Sequence, residues 1–177
     1  MVMIKSVWLV VVGAIGLMSV IVPSNVFAAT VNCNLAVSTC VGTDNQDTMT
    51  ISKLTGSSGF YFIDGKGAGD TIVGNVAQKD PGVTGFVVLF SGGDDKIVIR
   101  TSVAVPTIEL YGGTGSDTIS YTGAPGVKLY QDQFSNEPDG KKDTLNCGNA
   151  VNSVANISHE DGDVAVNCET VNSQPNP

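Results

Sequence analysis

Thirteen aspartates against four glutamates set the chemistry open to this chain. Asp is the short carboxylate of turns and of cation loops. Here it recurs in one setting: a glycine-containing turn, then Asp, then Thr or a similar residue, then an apolar residue. The unit is read at residues 42–51 with Asp44 and Asp47, and at 65–73 with Gly65, Gly67 and Asp70. It returns at 91–98 with Gly92, Gly93, Asp94 and Asp95, and at 112–120 with Gly112, Gly113, Gly115 and Asp117. Weaker copies end on Asp143 and Asp163, and the six principal aspartates lie 23, 25, 22, 26 and 20 residues apart. Glycines allow positive φ and aim several carbonyls at one point, and the Asp closes the half-site. A hard cation such as calcium takes six to eight such oxygens at about 2.3–2.6 Å. The competing use of each Asp is a metal-free turn cap that accepts backbone N–H bonds.

The elements that must position these turns are short. Residues 60–63, 86–90, 107–111 and 127–130 are β-type runs between the turns. Each unit therefore reads as turn, strand, variable loop, strand. A unit of 20–26 residues with two short strands cannot bury its own apolar face, and stacking one unit on the next does so. The spacing predicts an all-β parallel β-solenoid of about five coils, with Ile72, Ile97 and Ile119 as an inward column. An antiparallel β-sandwich is the alternative, although it has no reason to repeat one turn chemistry at every other corner. Stacked coils would bring the carboxylates of Asp70, Asp95 and Asp117 one strand spacing apart, with Asp94 as an extra ligand. Asp47 with Asp44 and Asp64 would make a weaker site. The turns of Asp143 and Asp163 are outer candidates, because Lys141 and Lys142 lower the local charge.

Residues 112–120, Gly-Gly-Thr-Gly-Ser-Asp-Thr-Ile-Ser, match all nine positions of the G-G-x-G-x-D-x-U-x repeat. The chain thus resembles the RTX, or hemolysin-type, calcium-binding repeat family over roughly residues 42–166. The resemblance implies calcium held between neighbouring turns. It departs from the family in carrying Lys66 and Ala68 where glycines are expected, in a turn at Ser91 that is one glycine short, and in a long interval. One recognisable turn per coil places ions along a single edge.

Residues 1–28 have the pattern of a secretory signal peptide: Lys5, an apolar run over 7–22, a Pro-Ser-Asn break and Val26-Phe27-Ala28 before the cut. The alternative is a retained anchor, for which the run is short. Export makes disulfides available to Cys33, Cys40, Cys147 and Cys168. Three pairings are possible, and the local ones, 33 with 40 and 147 with 168, suit a stack whose ends need stapling. Cys147 follows Asp143 by four residues and Cys168 follows Asp163 by five, so a bulge must absorb one residue. The division expected is signal peptide 1–28, disulfide cap 29–41, solenoid 42–171 and a polar, disordered tail 172–177. His159 reads as a surface residue.

A net charge of −8 with a single Arg, Arg100, excludes a nucleic-acid partner. The expected role is a secreted calcium-binding repeat protein, extracellular or cell-surface associated, with calcium as its cofactor. Its partners would be a cell-surface polysaccharide or protein, with no membrane contact after cleavage. The chain is expected not to be an enzyme. A small polysaccharide lyase or hydrolase, and a glycan- or surface-binding module using a Thr row (Thr48, Thr71, Thr118, Thr144) broken by Lys96, are the alternatives.

Overall fold

A computed structural model describes residues 28–174 except 37, 58, 124–125, 132–138, 149 and 159; residues 1–27 of the stretch expected to be a signal peptide, the end of the expected tail and His159 thus lie outside it. The strands are β1 (Thr30–Asn32), β2 (Thr39–Val41), β3 (Thr48–Leu54), β4 (Gly59–Asp64), β5 (Thr71–Lys79), β6 (Val83–Leu89) and β7 (Lys96–Thr101). They continue as β8 (Thr107–Tyr111), β9 (Thr118–Thr122), β10 (Val127–Tyr130), β11 (Thr144–Asn146), β12 (Val154–Ser158), β13 (Val164–Val166) and β14 (Thr170–Gln174). A single 3₁₀ turn, Cys33–Leu35, separates β1 from β2.

Odd-numbered strands form one seven-stranded sheet, in the order β1-β3-β5-β7-β9-β11-β13, and even-numbered strands form the other. Every pairing between strands is parallel, so the chain is a two-sheeted β-solenoid and not an antiparallel sandwich. Five coils run between the six principal aspartates, and the terminal rungs bring each sheet to seven strands.

The alternation of side chains explains why these segments settle as they do. Strand β3 runs exposed-buried-exposed-buried from Thr48 to Ile51, and β5 does the same from Ile72 to Val76. Period two places one face inward, and a one-residue slip would turn every apolar group out. Met49, Ile72, Ile97, Ile119 and Leu145 stack in register as one inward column, each fully buried. Opposite them Ile63, Val88, Leu110, Leu129 and Ala155 form the facing column, also fully buried.

Both ends are stapled as expected. Cys33 joins Cys40 and Cys147 joins Cys168, with Cα separations of 5.4 and 4.9 Å. The β11–β13 register is unbroken, and the extra residue before Cys168 falls just past β13, where Asn167 turns the backbone left-handed with φ of 56°. Residues 172–174, placed by composition in the tail, instead extend β14: Asn172 lies in register with Asn156, and its side-chain amide donates to the Asn156 Oδ1 at 3.1 Å.

Candidate metal centre

Each principal aspartate ends a turn and is followed at once by a first-sheet strand, so all six lie at one corner of the coil. Asp47, Asp70, Asp95, Asp117, Asp143 and Asp163 are buried, with 0–8% of their surface exposed. Each carboxylate reaches back one rung. The Oδ1 atoms of Asp70, Asp95, Asp117, Asp143 and Asp163 accept the backbone N–H of the preceding rung's Asp at 2.5–2.8 Å. Asp47 closes the series by accepting from Ala29 N at 3.1 Å. The corner is thus a continuous aspartate ladder, polar in sense, with every coil capped by the coil that follows it.

The second carboxylate oxygen separates the rungs. Asp47 Oδ2 accepts from Thr43 N at 2.5 Å, and Asp163 Oδ2 from Ser158 N at 2.9 Å. The Oδ2 atoms of Asp70, Asp95 and Asp117 are buried and have no hydrogen-bond partner. The turn backbone accounts for two of these. The N–H four residues before Asp70, that of Lys66, turns to Asp64 Oδ1 at 3.3 Å; its equivalent before Asp117, that of Gly113, donates to Gln131 O at 2.9 Å. The glycine five residues before the Asp also matters. A Cβ on Gly65 would stand 2.7 Å from Asp70 Oδ2, and one on Gly112 would stand 2.4 Å from Asp117 Oδ2. At Asp95 that place belongs to Phe90, fully buried, which is the glycine missing from the motif.

The remaining motif positions stack the turns. Gly92 bridges Ala68 on one side and Thr114 on the other in parallel register. Gly93 and Gly115 have φ of 99° and 131°, and a Cβ on either would overlap the backbone of the coil before it. A Cβ on Gly67 would stand 2.1 Å from Asn45 O, so this position also needs glycine. Lys66 takes the left-handed place of a glycine with φ of 32°, and Gly113 has φ of 94°. Carbonyls of Ser91 and Thr114 are spent on inter-coil bonds, to Thr114 N at 3.1 Å and Gly93 N at 2.7 Å.

The outer carboxylates fall differently. Asp94 is exposed, and its Oδ1 accepts from Ser116 N at 3.0 Å. Asp44 is exposed and Asp64 half-buried. Two further aspartates, from the weaker copies of the turn, take part: Asp139 Oδ2 accepts from Gly115 N at 2.6 Å, and Asp161 Oδ2 from Asp139 N at 3.0 Å. Their signal was the Asp-Gly pair, since Gly140 and Gly162 both have positive φ.

Burial is the largest influence on these acids. It raises Asp95 to about 7, and Asp117 and Asp143 to about 8, and also raises Asp70 and Asp163. Backbone N–H donors pull each of them down, while neighbouring carboxylates push up, Asp139 among them for Asp117, Asp143 and Asp163. Two unit charges one strand spacing apart repel by about 3–4 kcal/mol at an effective dielectric of about 20. A fully ionised ladder therefore carries a repulsive cost at each step, which bound protons or cations would lower.

The donor set fits a hard cation, since it consists of carboxylate oxygens with three left unpaired. Among the described residues no three His, Cys, Asp or Glu side chains converge as a metal cage. A cation here would need oxygens beyond the side chains. No family model, curated protein or solved structure matches the chain significantly.

Proposed function

We propose that this is an exported calcium-binding β-solenoid of RTX-like type, with a structural or cell-surface interaction role. One observation carries the reading. The three aspartates singled out by turn completeness, Asp70, Asp95 and Asp117, are, among the described residues, the three whose second oxygen is buried without a partner. A buried, unsatisfied carboxylate oxygen is costly, and a divalent ion bound there relieves both desolvation and mutual repulsion. Two disulfides support export, as they persist in oxidising compartments. Among the described residues no helix is long and apolar enough to cross a membrane.

A second reading rests on the Oδ1 bonds: the ladder is a metal-free stack of caps, kept neutral by protons. Calorimetric titration of the purified protein with calcium chloride at pH 7.5 separates the two. The calcium reading expects saturable heat and a melting temperature that rises with calcium concentration. No heat, with identical melting in calcium and in chelator, leaves the proton-capped ladder.

A further inference from the structure

The outer face of the second sheet carries a feature the cation ladder does not use. Phe60 and Phe62 on β4 point outward, 42% and 39% exposed, with ring centroids 6.0 Å apart and planes at 35°. Phe60 is in register with Gly85 of β6, where a Cβ would come within 2.2 Å of two ring carbons. The ring therefore lies across the neighbouring strand in the space of a missing side chain, and it keeps its other side toward solvent. Beside it Val87 also points outward, yet it is only 6% exposed and stands apart from the inner core. These rings and Val87 floor a groove whose far wall is Glu109 and Tyr111.

That wall is polar and electrically neutralised. Glu109 Oε1 pairs with Lys128 Nζ at 3.1 Å, and Glu109 Oε2 accepts from the Tyr111 hydroxyl at 3.1 Å. Tyr111 in turn stacks on Tyr130, centroids 4.4 Å apart and planes within 4°. The aromatic groups stand on β4 and β8, two strand spacings apart, and Tyr111 is in register with Leu89 and so with Asp64, two residues beyond Phe62, which puts Phe62 and Tyr111 about 12 Å apart.

We propose that this groove binds a neutral polysaccharide. A pyranose ring has an apolar C–H face that dries a flat aromatic ring, and hydroxyls that bond to a polar wall. An anionic polymer would meet a chain of net charge −8, and a cationic one would find Glu109 already paired. A second copy of the chain is a poor occupant: two exposed rings and a covered valine fall short of the roughly 1,200 Å² that a stable interface buries. The interval of about 12 Å between Phe62 and Tyr111 is of the order of a disaccharide unit, so a linear chain can engage both.

The test is affinity electrophoresis of the native protein, with calcium present, through gels holding a panel of neutral polysaccharides: hydroxyethylcellulose, β-1,3-glucan, galactomannan and xyloglucan. At least one should retard the protein. The Phe60→Ala/Phe62→Ala variant should lose the retardation at least tenfold, with far-ultraviolet circular dichroism unchanged. Glu109→Gln keeps the shape and alters the wall, and should weaken binding about threefold; it decides the matter if the double variant fails to fold. Thr50→Ala on the opposite sheet should change nothing. No retardation by any member, or retardation that survives both groove variants, overturns the proposal. So does sedimentation showing that the phenylalanines hold two copies together while no polysaccharide binds.

Discussion

Asp95 and Asp117 each have one oxygen bonded to the preceding rung and one bonded to nothing, and their burial governs how the protein answers pH. Burial raises Asp95 to about 7 and Asp117 to about 8, above an unfolded value of 3.8. A folded-state pKa above the unfolded one means that the native protein holds the extra proton. The resulting stability is fully present below the unfolded value and is lost as pH rises through about 7 and 8. In chelator the melting temperature should therefore fall between pH 6 and pH 9, by about 5–10 °C, since 1 kcal/mol corresponds to about 2–4 °C at this size. Calcium should flatten the fall, because an ion takes the place of the protons. Thermal melts at three pH values, with and without calcium, check this; a melting temperature that rises with pH in chelator contradicts the direction assigned to the ladder.

At the level of elements, the last coil depends on its staple. Strands β13 and β14 lie at the ends of their sheets, each paired on one side only. Val164, Val166 and Val171 are 37–46% exposed, so burial contributes little to their retention. Cys147–Cys168 closes a loop across 21 residues, for which chain entropy gives about 3 kcal/mol. The Cys147→Ser/Cys168→Ser variant should lose about that much stability, and hydrogen exchange should show β13 and β14 opening before β5 and β7. Uniform exchange in the variant would show that the coil does not need the bridge. These end strands were also the least legible in the sequence. The runs at 60–63 and 86–90 are apolar and β-branched enough to declare strands, and the repeated turn located β5, β7 and β9. By contrast β1, β2 and β13 are three residues each and β14 is largely polar, and they are ordered by parallel pairing to a neighbour rather than by local propensity. The aspartates were legible as one edge. Their donors were not, since an N–H reaching 20–26 residues away is set by coil register; nor was the part taken by Asp139 and Asp161, whose turns keep only the Asp-Gly pair of the motif.

For the whole molecule the question is whether its charge acts as a diffuse cloud or as a line. Seventeen acidic side chains oppose nine basic ones, and six of the acids are buried in single file along one corner. Five rung spacings make that file about 24 Å long, more than twice the Debye length of about 10 Å at 0.1 M salt. Monovalent salt screens the exposed acids, such as Asp94 and Asp44, but reaches buried carboxylates poorly. A solenoid also sums nearest-neighbour contacts, so repulsion between adjacent rungs weakens every interface along the stack. At pH 8 in chelator, raising sodium chloride from 10 to 500 mM should recover only part of the melting temperature, and millimolar calcium at constant ionic strength should recover the rest. If sodium chloride alone restores the full value, diffuse screening accounts for the stabilisation and the ladder has no site for an ion. If magnesium equals calcium at the same concentration, the corner responds to divalent charge without selecting size, which a set of flexible oxygens around the larger ion would not do.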